Sequence, residues 1–581
     1  MRPLPFIGFL AVFAAATPAL AREYDLVIDD ARIEIAGRVT DGMMINGQLP
    51  GPTLRFTEGL EAVIHVRNDS DAPTSLHWHG LFVPAEMDGS PGFSGFQAIQ
   101  PGRSFTYHFT IRQHGTYWYH SHSGGQEQMG LYAPLIIEPA TAETNPPDRD
   151  YVVLLSDFTS EHPDRILNNL KVDSGYYNNY HRTIGDFFRD ARTFGFGAAL
   201  QDRLAWGQMR MDPTDIADVT NYTFLLNGHP ATDNTSFLFR PNERVRLRLI
   251  NGSAMTYFDF RIPGLKLTVV AADGRDVEPV EVDELRIAVA ETYDIIVEPR
   301  EDAAYTIFAE SMDRSGYARG TLAPRLGMEA AIPKMRPRAI LTMADMGMSH
   351  GDASADMPMD HSRMDHGADH GAMDHSQMGQ MDHSAMGQSA DSHQGHDISS
   401  GLGANGGVDG SGRPYGWGSE FPADARVLTY ADLASATPQR DTRPAEREII
   451  VRLGGNMERY NWTINGQSME DAPPINLAFG ERARLTFINE TMMAHPMHLH
   501  GMFVQLENGM PTERLPDKHI VSVAPGQTYS VLLTADQPGE WAFHCHLLYH
   551  MNAGMMSRVV VARSDGQPAA YDNANAHGGH Q

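Results

Sequence analysis

Apolar and polar side chains alternate with period two along most of this chain, in short runs closed off by Gly, Pro, Asn and Asp. In "EAVIHVRN", residues 61–68, Ala62, Ile64 and Val66 fall on one face and their polar neighbours on the other. Alternation bounded by turn residues predicts β-strands half buried against a core. The pattern also recurs. "MINGQLPGPTLRFTEGLEAVIHVRNDS", "LLNGHPATDNTSFLFRPNERVRLRLINGS" and "TINGQSMEDAPPINLAFGERARLTFINET" each carry Asn-Gly and then close an alternating strand on a second Asn. The two asparagines are Asn46 and Asn68, Asn227 and Asn251, Asn465 and Asn489, separated by 22, 24 and 24 residues. Self-similarity on this scale predicts three related β domains.

A second element repeats as well. "PGRSFTYHFTIRQHGTYWYHSH" and "PGQTYSVLLTADQPGEWAFHCH" place Pro and His at equal spacing, Pro101 to His120 and Pro525 to His544, with "AETYDIIVEPREDAAYTIFAES" as the middle copy. Many short strands with Gly/Pro punctuation predict an all-β chain of Greek-key sandwiches. The exception lies around "RTIGDFFRDARTFGFGAALQDRLAWGQ", which reads as a partly helical insertion in the middle domain. Expected domains span 22–145, 146–342 and 419–565, with a leader at 1–21, a tract at 343–418 and a tail at 566–581. At 581 residues the chain is long enough for several cores.

The histidines follow the strand repeat. "TSLHWHGL" carries His77 and His79, "YWYHSHS" His120 and His122, "AHPMHLHGM" His498 and His500, and "FHCHLL" His544 and His546. Two residues apart on a strand, each pair points to one face. The middle domain has "FDF", Phe258 to Phe260, in the first position, and Phe308 and Glu310 in the second. It keeps the scaffold without the histidines, so the scaffold alone does not require them.

Eight histidines from two domains exceed the needs of one ion, and neutral imidazole binds copper, zinc, iron or nickel. The thiol narrows the choice. Cys545 is the one cysteine in the chain, which excludes any intramolecular disulfide framework, and it lies between His544 and His546. Alternation turns it to the opposite face, into the third domain, where it can meet His495, His550 and Met555. Two histidines, a thiolate and a weak axial methionine make a blue-copper electron-transfer site. The backbone at 544–546 is then a short covalent path between two metal sites.

A formal net charge of −28 argues against nucleic acid and for attraction of cations. The start, "MRPLPFIGFLAVFAAATPALAREYD", has the basic residue, short apolar run and Ala-x-Ala end of an export leader, too short to span a bilayer. The mature chain is expected outside the cytoplasm, with no membrane span.

"HWHG", "HSH", "HPMHLHG" and "HCHLLYHMNAGMM" resemble the four copper motifs of the multicopper oxidases, over essentially the whole mature chain. "TYWYHSHSGGQEQMGLY", "INGSAMTYFDFRIPG" and the helical insertion are similar, more narrowly, to the bacterial copper-resistance protein A subfamily. The resemblance implies three cupredoxin-like domains and four copper ions: one type 1, one type 2 and two type 3. It places the type 1 copper on His495, Cys545, His550 and Met555, and the type 2 copper on His77 and His498. The type 3 pair falls on His79, His120, His122, His500, His544 and His546. It further implies a periplasmic enzyme oxidising Cu(I) with O2 as acceptor, a monomer with other periplasmic copper-handling proteins as partners. A laccase-like oxidase of phenols and a copper-sequestering protein are the alternatives. By the same resemblance Asp88, in "EMDGSPG", assists proton delivery, a role carboxylates can serve.

Two features depart from the subfamily. Related cuprous oxidases carry an acidic residue after the histidine at 550, where this chain has Met551, which moves the expected proton path toward Glu127. Relatives also carry a twin-arginine leader, whereas Arg2 stands alone; export of an unfolded chain loaded with copper outside, and a start further upstream, are both open.

From about 343 to 397 strand periodicity stops and "MDHS" or "MDHG" recurs, placing Met359 with His361, Met364 with His366, Met373 with His375 and Met381 with His383. Thioether sulfur favours Cu(I) and imidazole takes either oxidation state. The tract is expected to capture copper, while its composition also suits a solvated linker. Met492, Met493, Met497, Met502 and Met556 bracket the type 1 ligands and read either as core packing or as a Cu(I) entry. His65, His108, His114, His229 and His519 have no partner spacing and receive no role.

Overall fold

The computed structural model describes residues 22–209, 212–338, 340–341, 421–422, 425–456, 459–469 and 471–562. The leader, nearly all of the Met/His tract and the tail lie outside these residues.

Six sheets pair into three sandwiches. In each domain the first sheet is seeded by a parallel pair: Arg22–Ile35 with Glu61–Asn68, Arg149–Phe158 with Val245–Asn251, and Arg447–Asn456 with Arg482–Asn489. An antiparallel strand then joins each, Ser104–Thr110, Thr292–Val297 and Thr528–Thr534. The second sheet holds another matching parallel pair: Leu54–Thr57 with Tyr132–Glu138, Thr235–Leu238 with Tyr317–Ala323, and Ile475–Leu477 with Met556–Val561. Three identical connectivities are what the threefold sequence repeat requires.

The repeated asparagines hold each copy in the same way. Asn46, Asn227 and Asn465 adopt positive φ (53°, 51° and 54°) ahead of a positive-φ glycine, the Asn-Gly geometry of a tight hairpin. Their side chains accept from the backbone of the neighbouring strand, at Val27, Leu154 and Arg452. Asn68, Asn251 and Asn489 are buried and donate to backbone carbonyls around the strand end: Ala72 and Ile99, Thr256 and Ile287, and Met493, Val523 and Ala524. A buried amide with its donors used fixes where the strand stops and the ligand-bearing loop begins.

The insertion forms three helices, Pro163–Val172, Ile184–Phe194 and Phe196–Met209. A further short helix, Leu548–Asn552, follows directly after the strand Gly539–Cys545. Segment 425–446, assigned by sequence to the third domain, bridges the two: Leu428 N–H donates to Glu284 O and Glu278 N–H to Ala434 O in the second, while Gln439 N–H donates to Glu513 O and Glu446 N–H to Arg482 O in the third. One apolar core is continuous through the second and third domains and takes in Ala85, Trp118 and Tyr132 of the first, whose other apolar residues form a separate cluster. Among the described residues no helix is long and apolar enough to cross a membrane.

Candidate metal centres

Two sites emerge, and strand register builds both. Antiparallel pairing sets His77 opposite His120 in the first domain and His498 opposite His544 in the third, with Met497 opposite Cys545. The two His-bearing edges face each other, and rings from the two domains stack: His77 on His500 and His79 on His498, each with centroids 3.9 Å apart. The eight histidines form groups whose ligand atoms lie within 4.8 Å of one another: His77 with His498 and His500, His79 with His120 and His546, and His122 with His500 and His544.

Neighbouring groups fix the orientation of most of these rings. His77 Nδ1 donates to Asp88 O at 2.8 Å, His498 Nδ1 to His519 O at 2.9 Å, His544 Nδ1 to Cys545 O at 2.9 Å, and His500 Nδ1 to Asp88 Oδ2 at 2.8 Å. His120 Nδ1 meets Ser121 O at 3.0 Å and Glu127 Oε2 at 2.8 Å. The opposite nitrogens are what remain. The Nε2 atoms of His77, His79, His120, His498 and His546 are buried with no hydrogen-bond partner, and those of His122 and His500 meet only His544 Nε2, at 3.3 and 3.0 Å. Buried polar atoms are ordinarily satisfied, so this convergence of orphaned nitrogens marks a place for ions.

Burial, and then the neighbouring imidazoles, hold His79, His120, His122, His498, His500 and His546 well below the usual histidine range. Neutral rings are the ligand form. Glu127 goes the other way: burial and then Asp157 raise its carboxyl.

The second site lies within the third domain. Cys545 Sγ is 3.6 Å from His495 Nδ1 and 3.8 Å from His550 Nδ1, and the two nitrogens are 3.1 Å apart. All three residues and Met555 are fully buried, and Met555 O accepts from Cys545 N–H at 3.0 Å. The one-turn helix folds His550 back onto the strand that carries Cys545, five residues earlier. Both imidazoles turn Nδ1 inward because their far nitrogens are held. His495 Nε2 meets Thr491 Oγ1 at 2.8 Å and His550 Nε2 meets Asp218 Oδ2 at 2.7 Å. Trp462 stacks on His550 at 3.9 Å. Two imidazoles, one thiol and a buried thioether fit a blue-copper ion, and the histidine cluster fits several more.

Sequence reasoning missed three groups here. Asp218, from the second domain, also accepts from Tyr460 O–H at 2.5 Å; nothing in its local sequence marks it. His519, given no role above, stands among the cluster histidines, grouped with His79 and His498. Third, a pocket beside His550 is lined by Asp218, Asp313, Met255, Met312 and Met493, with Leu547 and Tyr257. Of the five methionines singled out by sequence only Met493 lines it; Met492, Met497, Met502 and Met556 are buried in apolar clusters. In the middle domain Phe258 and Phe260 take the positions of His77 and His79, and on the opposite face of that strand Asp259 pairs with the buried Arg286 and Arg314.

Sequence models described as multicopper oxidase match residues 28–142, 149–332 and 442–565. The chain is 49% identical to the copper resistance protein A of Escherichia coli, over 93% of this chain and 92% of that protein. It is 47% identical to a copper resistance protein A homolog of Pseudomonas syringae pv. tomato, over the same shares. Among solved structures, Fet3p, a multicopper oxidase that functions in iron import, superposes with a TM-score of 0.62 at 18% identity, covering 93% of this chain and 90% of its own. A laccase from B. aclada, as its L499M mutant, gives 0.62 at 20% identity, covering 94% and 88%.

Proposed function

The chain belongs to the multicopper oxidases, and on that premise we propose that this oxidase turns over Cu(I), oxidising it to Cu(II) with O2 as acceptor, as a step in periplasmic copper resistance. Four Cu(I), one O2 and four protons give four Cu(II) and two waters. The resident coppers would supply one-electron acceptance at the thiolate site and oxygen reduction at the histidine cluster. His495, Cys545, His550 and Met555 would hold the first ion. His77 and His498 would hold the type 2 ion, and His79, His120, His546, His122, His500 and His544 the type 3 pair.

The pocket beside His550 carries the choice of Cu(I). Three thioethers line it, the soft donors a cuprous ion takes, and two carboxylates add negative charge that attracts a cation. Asp218 Oδ1 and Asp313 Oδ2 are buried without partners, which is costly unless a cation joins them. The enclosed part of the cavity has room for a guest of about the size of a water molecule or a bare ion. Asp218 connects pocket and ligand directly, since its other oxygen accepts from His550 Nε2. From there the peptide between Cys545 and its flanking histidines is the covalent route to the cluster.

At the cluster Asp88 and Glu127 take the proton-handling roles. Asp88 Oδ2 orients His500, while its Oδ1 is buried without a hydrogen-bond partner, 3.3 Å from His77 Nδ1. Glu127, whose carboxyl burial raises, lies against His120. The Met/His tract, outside the described residues, joins the body at Leu341, whose N–H donates to Pro213 O, three residues before the pocket wall at Ile216. That attachment supports a role in feeding Cu(I) to the pocket.

Oxygen uptake by copper-loaded protein tests the reading, with Cu(I) and a bulky phenol compared in wild type and Cys545→Ser. Sustained Cys545-dependent uptake with Cu(I), and little with phenol, is expected. Faster turnover of phenol would make the enzyme laccase-like, and uptake that stops after a few equivalents would make it a copper store.

A further inference from the structure

The helical insertion carries an apolar stripe that the described residues leave uncovered. In Ile184–Phe194 the apolar side chains fall at Ile184, Phe187, Phe188, Ala191 and Phe194, the spacing of a helix face that packs on a core. Among the described residues, none of this helix is buried. The helix Phe196–Met209 extends the stripe with Phe196, Leu200 and Leu204, while its other side sends Ala199 and Trp206 into the body. Phe187 joins the two, its ring 5.5 Å from Phe196 and 5.6 Å from Phe188. Ile184, Phe188, Phe194, Phe196, Leu200 and Leu204 are 41–78% exposed. A continuous apolar patch of this kind marks an interaction surface.

The chain beside the patch identifies its occupant. Arg336 is fixed to the middle domain: its N–H donates to Glu310 Oε1 at 2.6 Å and its guanidinium pairs with Glu284. Two residues on, Arg338 lies over the ring of Tyr180, just ahead of the first helix of the stripe. Leu341 is buried, with its N–H on Pro213 O, just past the end of the second. The chain returns at Phe421, whose ring centroid is 5.1 Å from the guanidinium of Arg286 and 5.2 Å from that of Arg336. The 79 residues from 342 to 420 therefore form a loop that leaves and rejoins the body beside the insertion. The helix Phe196–Met209 is about 21 Å long, so the far end of the patch lies within about ten extended residues of Leu341. From 343 to 397 the large apolar side chains are ten methionines and nothing else. Thioether sulfur packs favourably against aromatic rings, which Phe188, Phe194 and Phe196 present.

We propose that this face of the helical insertion is the docking surface of the chain's own methionine tract, Met343 to Met386. Tethering at both ends sets an effective concentration of the order of millimolar, so individually weak thioether–ring contacts suffice. The contact belongs to the chain itself and holds whichever donor the enzyme oxidises.

Tryptic cleavage at Arg363, the one lysine or arginine between 343 and 397, reads the contact without turnover. In the full chain at fixed copper occupancy, Phe188→Ser combined with Phe194→Ser and Phe196→Ser should speed that cleavage about tenfold or more, with the blue band unchanged. Deleting 343–397 should bare the patch and raise binding of an apolar dye. An unchanged cleavage rate in a variant that keeps its blue band would overturn the proposal. So would unchanged dye binding after the deletion, which decides the matter alone where the triple variant fails to fold. Protection of Arg363 that weakens on dilution would give the surface to a second copy of the chain, and capture of the intact protein by phospholipid vesicles through the three phenylalanines would give it to a membrane; either overturns docking of the tract.

Discussion

Asp218→Asn isolates what one buried carboxylate contributes to the entry of Cu(I). The substitution keeps the shape, and the amide oxygen can still accept from His550 Nε2 and Tyr460 O–H, now at 2.7 and 2.5 Å from the carboxylate. What it removes is a full negative charge at the wall of the pocket. A unit charge about 4 Å from a monovalent ion is worth about 4 kcal/mol at an effective dielectric of about 20. Asp313 remains and the amide dipole recovers part, so a net loss of about 1.5–3 kcal/mol is expected, or about 10- to 100-fold in KM for Cu(I). The same substitution weakens a charge-assisted bond to a copper ligand. A loss of about 1.5 kcal/mol there favours the reduced ion and raises the type 1 potential by about 65 mV. Steady-state oxygen uptake against Cu(I) gives the first quantity and redox titration of the blue band the second. Asp313→Asn is the control, because Asp313 lines the pocket with no recorded bond to His550: KM should rise and the potential stay. A KM for Cu(I) in Asp218→Asn within about twofold of wild type, with copper content intact, would refute the assignment of the pocket.

Further outcomes follow from the same contacts. Gly80→Ala should lower thermal stability by about 1–3 kcal/mol and shed cluster copper, since a positive φ and the His519 ring both oppose a Cβ; a melt and copper stoichiometry equal to wild type would contradict this. Asp259→Asn should cost about 3–5 kcal/mol in denaturant unfolding, because it removes the buried carboxylate that the guanidiniums of Arg286 and Arg314 share. Burial alone would raise Asp259, but Arg286 and Arg314 outweigh it and hold the carboxyl well below its usual range. Its contribution is therefore present above the unfolded carboxylate range and lost as pH falls below it, and the variant should lack that part of the acid destabilisation. Deleting 343–397 should lower the rate at limiting Cu(I) while leaving the blue band intact; an unchanged rate at low copper would remove the feeding role.

The sequence alone determined the architecture and the direction of most of the candidate metal-ligating side chains, because both are written in local periodicity. Alternation with turn residues specifies strands, and the paired asparagines recur because each domain needs the same hairpin and the same strand-end clamp. His-x-His on a strand puts two rings on one face, and a cysteine between two histidines must face the other way. Those relations hold over two or three residues. What only the tertiary structure decided are contacts between side chains hundreds of residues apart. Asp218 reaches His550 across 332 residues, and Asp88 reaches His500 across 412. Met255 and Met312 join Met493 because the second and third domains share one core. His519 had no partner spacing because its partners are in another strand and another domain, and Gly80 shows its reason only once that imidazole is seen against it. Periodicity encodes the direction of a side chain, whereas the packing of one domain against another encodes what it meets.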